Sequence, residues 1–200
     1  MIKNVIFDIG NVLADFRYRD YMQKDLGFSG ELTELFVERL VMNELWNEFD
    51  LGVKDSEVII NEMKAAVSEY PEEAAVFFDR IEDIAASYPY SYDWLKELKD
   101  RGLGVYLLSN YPRDVFTIHE KKHFRFTELA DGKVVSGFER MSKPDPRIYE
   151  LLLTRYGLKA EECAFIDDRQ INIDAACALG INGILFKSYE QAKEDLALIL

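Results

Sequence analysis

Two hundred residues, 48% of them apolar, suffice for one sizeable core or a core domain with a modest second one, which excludes disorder as the main state. Lys and Arg number 24 against 37 Asp and Glu, a formal net charge of −13, the wrong sign for nucleic-acid phosphates or an anionic membrane surface. The two cysteines, Cys163 and Cys177, each lie in an apolar segment, so free buried thiols in a reducing compartment are expected and a disulfide-stapled secreted domain is excluded.

In chain order, the first element is a strand, Val5-Ile6-Phe7. The apolar run directly before Asp8 is only three residues long, too short for a signal segment, and no later run approaches the ~18 apolar residues of a membrane span. A cytoplasmic protein is expected. From about Arg17 to Ser87 no strand-like run occurs, and three apolar patterns have helical spacing: Leu32, Leu35, Phe36 and Leu40; Val58, Ile59, Met63 and Val67; Ala74, Phe77, Phe78, Ile81 and Ile84. The same stretch stands apart in charge: residues 15–90 hold 18 acidic and 7 basic side chains, residues 91–200 hold 18 and 16. It reads as a small acidic helical bundle.

Beyond it, short continuous runs suit strands buried on both faces: Val105 to Leu108, Ala164 to Ile166 and Ile184 to Phe186. Helices with readable ends alternate with them. One spans about Tyr92 to Arg101 and stops at Gly102. A second starts with Asp145 as N-cap and Pro146 in its first turn and stops at Gly157. A third runs from about Asn172 to Leu179 before Gly180. Strand and helix in alternation imply a parallel sheet with right-handed crossovers, and the bundle becomes an insertion after its first strand.

Three strands end in polar groups: Asp8, Ser109-Asn110 and Asp167-Asp168. Ligands of open parallel sheets bind outside the carboxyl ends of the strands, so these groups are expected to converge. Three neighbouring carboxylates repel unless a hard divalent cation offsets them, and Mg²⁺ is the natural candidate. Lys143, just before the helix that Asp145 caps, can add positive charge where a phosphate would be clamped.

The ordered set Phe7-Asp8-Ile9-Gly10-Asn11-Val12, Leu108-Ser109-Asn110, Ser142-Lys143-Pro144-Asp145 and Phe165-Ile166-Asp167-Asp168 resembles the four motifs of the haloacid dehalogenase (HAD) superfamily. The insertion resembles the helical cap of its subfamily I (C1) members, and the Asp-x-Gly-Asn start is most similar to the bacterial α-D-glucose-1-phosphate phosphatase type. The resemblance implies an α/β fold: a Rossmann-like core, residues 1–15 and 88–200, under a helical cap, residues 16–87. It also implies a Mg²⁺-dependent phosphatase acting on a small phosphomonoester, a sugar phosphate by type. Asp8 would attack phosphorus and form an aspartyl-phosphate. Asp8, the Gly10 carbonyl and Asp168 would hold Mg²⁺ with Asp167 assisting. Ser109 and the Asn110 backbone N–H would hold phosphoryl oxygens, and Lys143 would offset negative charge.

Gly10 departs from the pattern, because the family usually carries there the aspartate that serves as general acid and base. Such catalysis is worth roughly 10²–10⁴-fold. Its loss implies a slow enzyme, one that favours a good leaving group, or a phosphate-binding relative without turnover. A metal-independent 2-haloacid dehalogenase is the other alternative, since it needs no proton for a leaving halide; the Asp167-Asp168 pair favours Mg²⁺ and phosphate.

His119-Glu120-Lys121-Lys122-His123 spells the zinc-protease pattern H-E-x-x-H, but two lysines fill its centre and its helix is expected outside the sheet, so it reads as a solvated polar face. Arg17, Arg19 and Arg113 are candidate substrate contacts. Trp46 reads as bundle core, the acidic stretch around Glu48 and Asp50 as a loop facing the site, and Asn172 as a helix cap.

Overall fold

The computed structural model describes all residues, 1–200, as an α/β structure. Its elements are β1 (Asn4–Phe7), β2 (Ala14–Phe16), α1 (Tyr18–Asp20), α2 (Gly30–Phe36), α3 (Glu44–Leu51), α4 (Ser56–Ala66), α5 (Pro71–Asp79) and β3 (Ala85–Ser87). They continue with α6 (Ser91–Asp100), β4 (Gly104–Ser109), α7 (Arg113–Lys122), β5 (Gly132–Val135), α8 (Ser136–Glu139), α9 (Pro146–Tyr156), β6 (Cys163–Asp167), α10 (Gln170–Ala178), β7 (Asn182–Leu185) and α11 (Tyr189–Ile199). Helices α1 and α2 each run on into a wider π-type winding, over Tyr21–Asp25 and Val37–Val41. No helix is long and apolar enough to cross a membrane.

Five strands form a parallel sheet in the order β5-β4-β1-β6-β7. Its inner strands are continuously apolar because both faces are covered, and their residues alternate between two clusters as the strand period of two requires. Val5 and Phe7 of β1, Val105 and Leu107 of β4, and Ala164 and Ile166 of β6 join a cluster of 40 buried residues. Ile6, Leu108, Cys163 and Phe165 face the other way, into a cluster of 11 with Ile148, Tyr149 and Leu152 of α9.

The helical stretch leaves and re-enters this core through a second sheet, in which β2 and β3 pair antiparallel. Phe36, Trp46, Ile59, Met63 and Phe77 of the stretch belong to the same 40-residue cluster as Phe7 and Trp94, so the apolar interior is continuous across the ribbon. Local chemistry sets the ends of the elements. Asn43 caps α3 through its side chain, Gly52 ends that helix in the left-handed region, and Asp145 caps α9 by accepting from the Arg147 N–H.

Several expectations need correction. Strands β2, β3 and β5 and helix α11 carry no counterpart in the sequence reading. Val58 is exposed on α4 although its spacing fits the buried face. Cys163 is buried but Cys177 is exposed: its Sγ lies over Gly183 of β7, the edge strand of the sheet.

Candidate active site

Sheet register brings the polar strand ends together. Phe7 lies beside Leu107 on one side and Ile166 on the other. Asp8 therefore follows β1 at the level where Asp167 closes β6, with the Asp8 N–H bonded to the Ile166 carbonyl at 2.9 Å.

Lys143 lies between the two carboxylates, its Nζ 2.8 Å from Asp8 Oδ1 and 2.7 Å from Asp167 Oδ2, and the residue is 3% exposed. Asn110 fixes the backbone from which Lys143 reaches: its amide accepts from the Lys143 N–H at 2.8 Å and donates to the Lys143 carbonyl at 2.9 Å. Burial works against the ammonium, yet the two carboxylates outweigh it and hold Lys143 above its ordinary value. Burial pushes the Asp8 carboxyl upward, helped by Asp167 and Asp168 and opposed by Lys143. Burial also raises Asp168, opposed by a 3.0 Å hydrogen bond from Asn11 Nδ2. Asn11 adopts φ 57, the left-handed conformation that asparagine tolerates better than most side chains.

Asp167 is fully buried, and protein donors occupy both of its oxygens. Lys143 and Asn172 reach Oδ2, while Asn172 and the Arg169 N–H reach Oδ1. Asn172 therefore does not cap its helix. It sits in the first turn of α10, behind Arg169 at the N-cap position, and orients Asp167. Its own Oδ1 is buried without a donor.

Asp8, Asp167 and Asp168 each present a carboxylate oxygen, all within 4.8 Å of one another. One buried ammonium serves three carboxylates, so the cluster keeps excess negative charge that burial makes costly. An all-oxygen donor set of this charge fits a hard divalent cation such as Mg²⁺, and the orphaned Asn172 Oδ1 offers an acceptor for a hydrating water.

Asp8, Lys143, Asp168 and Asn172 line a cavity of ≈ 160 Å³ between the sheet end and the helical stretch, with Asp167 buried behind them. Gly10, Asn110 and Asp168 belong to its wall, whereas Ser109 ends β4 buried and off the wall. From α3 come Trp46, Asn47 and Asp50, and Trp46 packs on Phe16 of β2 with ring centroids 5.5 Å apart. Trp46 is thus both buried core and cavity wall. The acidic stretch is no loop: Glu48 and Asp50 lie in α3, and only Asp50 reaches the cavity, since Glu48 pairs with Lys54.

None of the three arginines flagged in the sequence lines it. Arg17 pairs with Asp25, Arg19 with Glu34, and Arg113 donates to the Gly137 carbonyl. Arg169, missed although it follows Asp168 directly, does line it. The H-E-x-x-H segment is a solvated face at Lys121, Lys122 and His123 but not at its first histidine. His119 is buried; Nε2 donates to the Glu82 carbonyl at 2.8 Å, which leaves Nδ1 to accept from the Tyr111 hydroxyl at 2.6 Å. With both nitrogens engaged it has none for zinc.

A family model described as haloacid dehalogenase-like hydrolase matches residues 2–180. A sesquiterpene phosphatase of Aspergillus oryzae is 29% identical over 185 residues, 91% of this chain and 88% of that protein. An (S)-2-haloacid dehalogenase of Burkholderia cepacia is 27% identical over 99 residues, 50% of this chain and 42% of the relative. Among solved structures, a HAD family enzyme of Bacteroides thetaiotaomicron superposes with a TM-score of 0.76 at 22% identity, covering 98% of each chain. That enzyme has also been solved in complex with magnesium and inorganic phosphate.

Proposed function

The chain belongs to the haloacid dehalogenase-like hydrolase family, and from that premise we propose that it is a Mg²⁺-dependent phosphatase of small phosphomonoesters, working through an aspartyl-phosphate on Asp8. The observation that carries this reading is the buried Asp8 carboxylate, paired with Lys143 beside the Asp167-Asp168 pair at the floor of a small cavity. The phosphatase relative from Aspergillus oryzae supports the same chemistry.

In this reading residues 1–15 and 88–200 are the catalytic core, and residues 16–87 are a cap of the C1 type. The Ile9 N–H and Lys143 both address Asp8 Oδ1, which leaves Oδ2 to attack phosphorus. Asn110 offers its backbone N–H to the phosphoryl oxygens from the cavity wall, and Ser109 joins it from the buried strand end. Lys143 holds the charge of the nucleophile as it becomes an acyl phosphate. Asp8, the Gly10 carbonyl and Asp168 would hold Mg²⁺, with Asp167 assisting through the donors that orient it. The ion, when bound, offsets charge on the transferring phosphoryl oxygens. Trp46 and Phe16 offer an apolar platform, and Asn47 and Asn11 offer amides, a combination suited to a sugar ring. A glucose-1-phosphatase-like preference for sugar phosphates is the corresponding substrate proposal.

Phosphate release from sugar, aryl and isoprenoid phosphates tests this directly. Activity should vanish in EDTA and return with Mg²⁺ but not with Ca²⁺, whose looser coordination misplaces the nucleophile. Asp8→Asn should lower kcat on the order of 10⁴-fold or more while the protein stays folded. The dehalogenase relative motivates a counter-assay: chloride release from 2-chloropropionate in EDTA, without phosphate release from any ester, would replace the phosphatase reading.

A further inference from the structure

We infer that Asp50, presented by α3 from the side of the cavity opposite the sheet, supplies the proton that position 10 cannot. The inference rests on the phosphatase reading and adds to it the identity of the general acid. The titratable side chains of the cavity wall are Asp8, Asp50, Tyr111, Lys143, Asp168 and Arg169. Asp8 is the nucleophile. Lys143 is locked between two carboxylates, Asp168 is held by Asn11, and Arg169 does not deprotonate. The Tyr111 hydroxyl donates a hydrogen bond to His119 Nδ1, and burial keeps it protonated far above neutral pH. Asp50 alone remains, and its carboxylate accepts no hydrogen bond and pairs with no cation.

Its placement is built, not incidental. Asp50 lies in the last turn of α3, where the carbonyl end of the helix disfavours a negative charge. The Ser136 hydroxyl ties the Asp50 carbonyl to the core, while it also accepts from the Tyr111 N–H. Two residues on, Gly52 at φ +66 packs so closely on Gly137 that a Cβ there would lie 2.4 Å from the Gly137 carbonyl oxygen. The helix end is thus seated on α8, and Asp50 lines the same cavity as Asp8, close enough to feel its charge. Groups that face it are Asp8 from β1, Tyr111 after β4, Lys143 before α9, and Asp168 and Arg169 after β6. Burial first, then the Asp8 charge, push the carboxyl up to about 8, against the pull of Lys143 and Arg169. Burial thus favours its protonated form, as an acid requires.

The two steps then balance. Asp8 Oδ2 forms a bond to phosphorus as the bond from phosphorus to the ester oxygen breaks, and the Asp50 proton passes to that oxygen to give the alcohol. Water next attacks the aspartyl-phosphate, its proton returns to the Asp50 carboxylate, and inorganic phosphate and the Asp8 carboxylate are released.

The test compares Asp50→Asn with wild type on two esters: glucose 6-phosphate, whose primary alkoxide needs a proton, and 4-nitrophenyl phosphate, whose phenolate leaves without one. The expected result is a loss of kcat/KM at least about 30-fold larger on the sugar ester, within the range general acid catalysis supplies. The variant should also show a burst of one nitrophenolate per enzyme, because the second step loses its base. In wild type, kcat/KM for the sugar ester should fall as pH rises and Asp50 loses its proton, and that for the aryl ester should not. Equal losses on both esters, or one basic limb shared by both, would overturn the assignment and leave an Asp8-dependent phosphatase intact. No hydrolysis of either ester by wild type would overturn the phosphatase reading and this inference with it.

Discussion

Gly10 shows how one missing side chain can be followed through the structure. Its φ is not positive, and a Cβ built there meets nothing within 4 Å, so the backbone and the cavity both accept a larger residue. Gly10→Asp placed in the Asp50→Asn background should restore hydrolysis of glucose 6-phosphate to within about tenfold of wild type, since either carboxyl would supply the same acid catalysis. No recovery in kcat/KM would mean that position 10 does not reach the leaving oxygen. His119 invites a different measurement. Its imidazole satisfies the Tyr111 hydroxyl and the Glu82 carbonyl, and His119→Ala should destabilise the fold by about 2–4 kcal/mol in urea melts, from the cavity and the two orphaned groups. Burial lowers its pKa to about 4, below the ordinary 6.5, so its contribution to stability is complete above pH 6.5 and fades as pH falls toward 4. The wild-type Tm should drop across that window, and His119→Ala should lose that part of the slope. At this scale the sequence marked Asp8, Lys143 and Asp168 as candidates, which the structure brings together, because each stands at a strand or helix end with a recognisable neighbour pattern. Asp50 is one of 18 acidic residues in its stretch, and nothing in its spacing marks it. Asn172 looked like a cap because asparagine near a helix start usually is one, whereas here a buried carboxylate outbids the backbone for its amide.

Among the elements, the inner strands were legible and the short or peripheral ones were not. Continuous runs such as Val105 to Leu108 follow from burial on both faces. Strands β2 and β3, three residues each, are too short to show a period of two, and β5 begins at Gly132 behind an aspartate, which reads as a turn. Helix α3 was partly seen as an acidic stretch ending at Gly52, but its seating on α8 depends on two glycine backbones touching across 85 residues of sequence. That contact is open to a single methyl group. Gly52→Ala must place a Cβ in a left-handed turn and against the Gly137 carbonyl, so α3 should tilt away and carry Asp50 with it. The expected outcome is a loss of stability of about 1–3 kcal/mol together with the same ester discrimination that Asp50→Asn produces. Stability lost with discrimination unchanged would show that α3 can shift without moving the acid.

At the scale of the whole molecule, the uneven charge of the sequence pointed correctly to a helical stretch set between β2 and β3, yet it said nothing of how that stretch meets the rest. The answer is one shared apolar cluster, from Trp94 and Phe7 through Trp46 to Phe77, which no local pattern encodes because its members come from distant parts of the chain. The paired ribbon has its own consequence. Ala14 sits beside Ser87 and Phe16 beside Ala85, and opposed residues of an antiparallel pair lie roughly 5 Å apart. The excursion from residue 17 to residue 84 therefore begins and ends at almost the same point in space. A segment with coincident ends is an exchangeable part: descent can lengthen it, shorten it or trade it for another without re-registering any strand of the sheet. Because Asp50 travels inside that part, in the proposed mechanism such a trade would alter in one event which alcohols are admitted and how they are protonated on departure, while Asp8 and Lys143 stay where the sheet puts them.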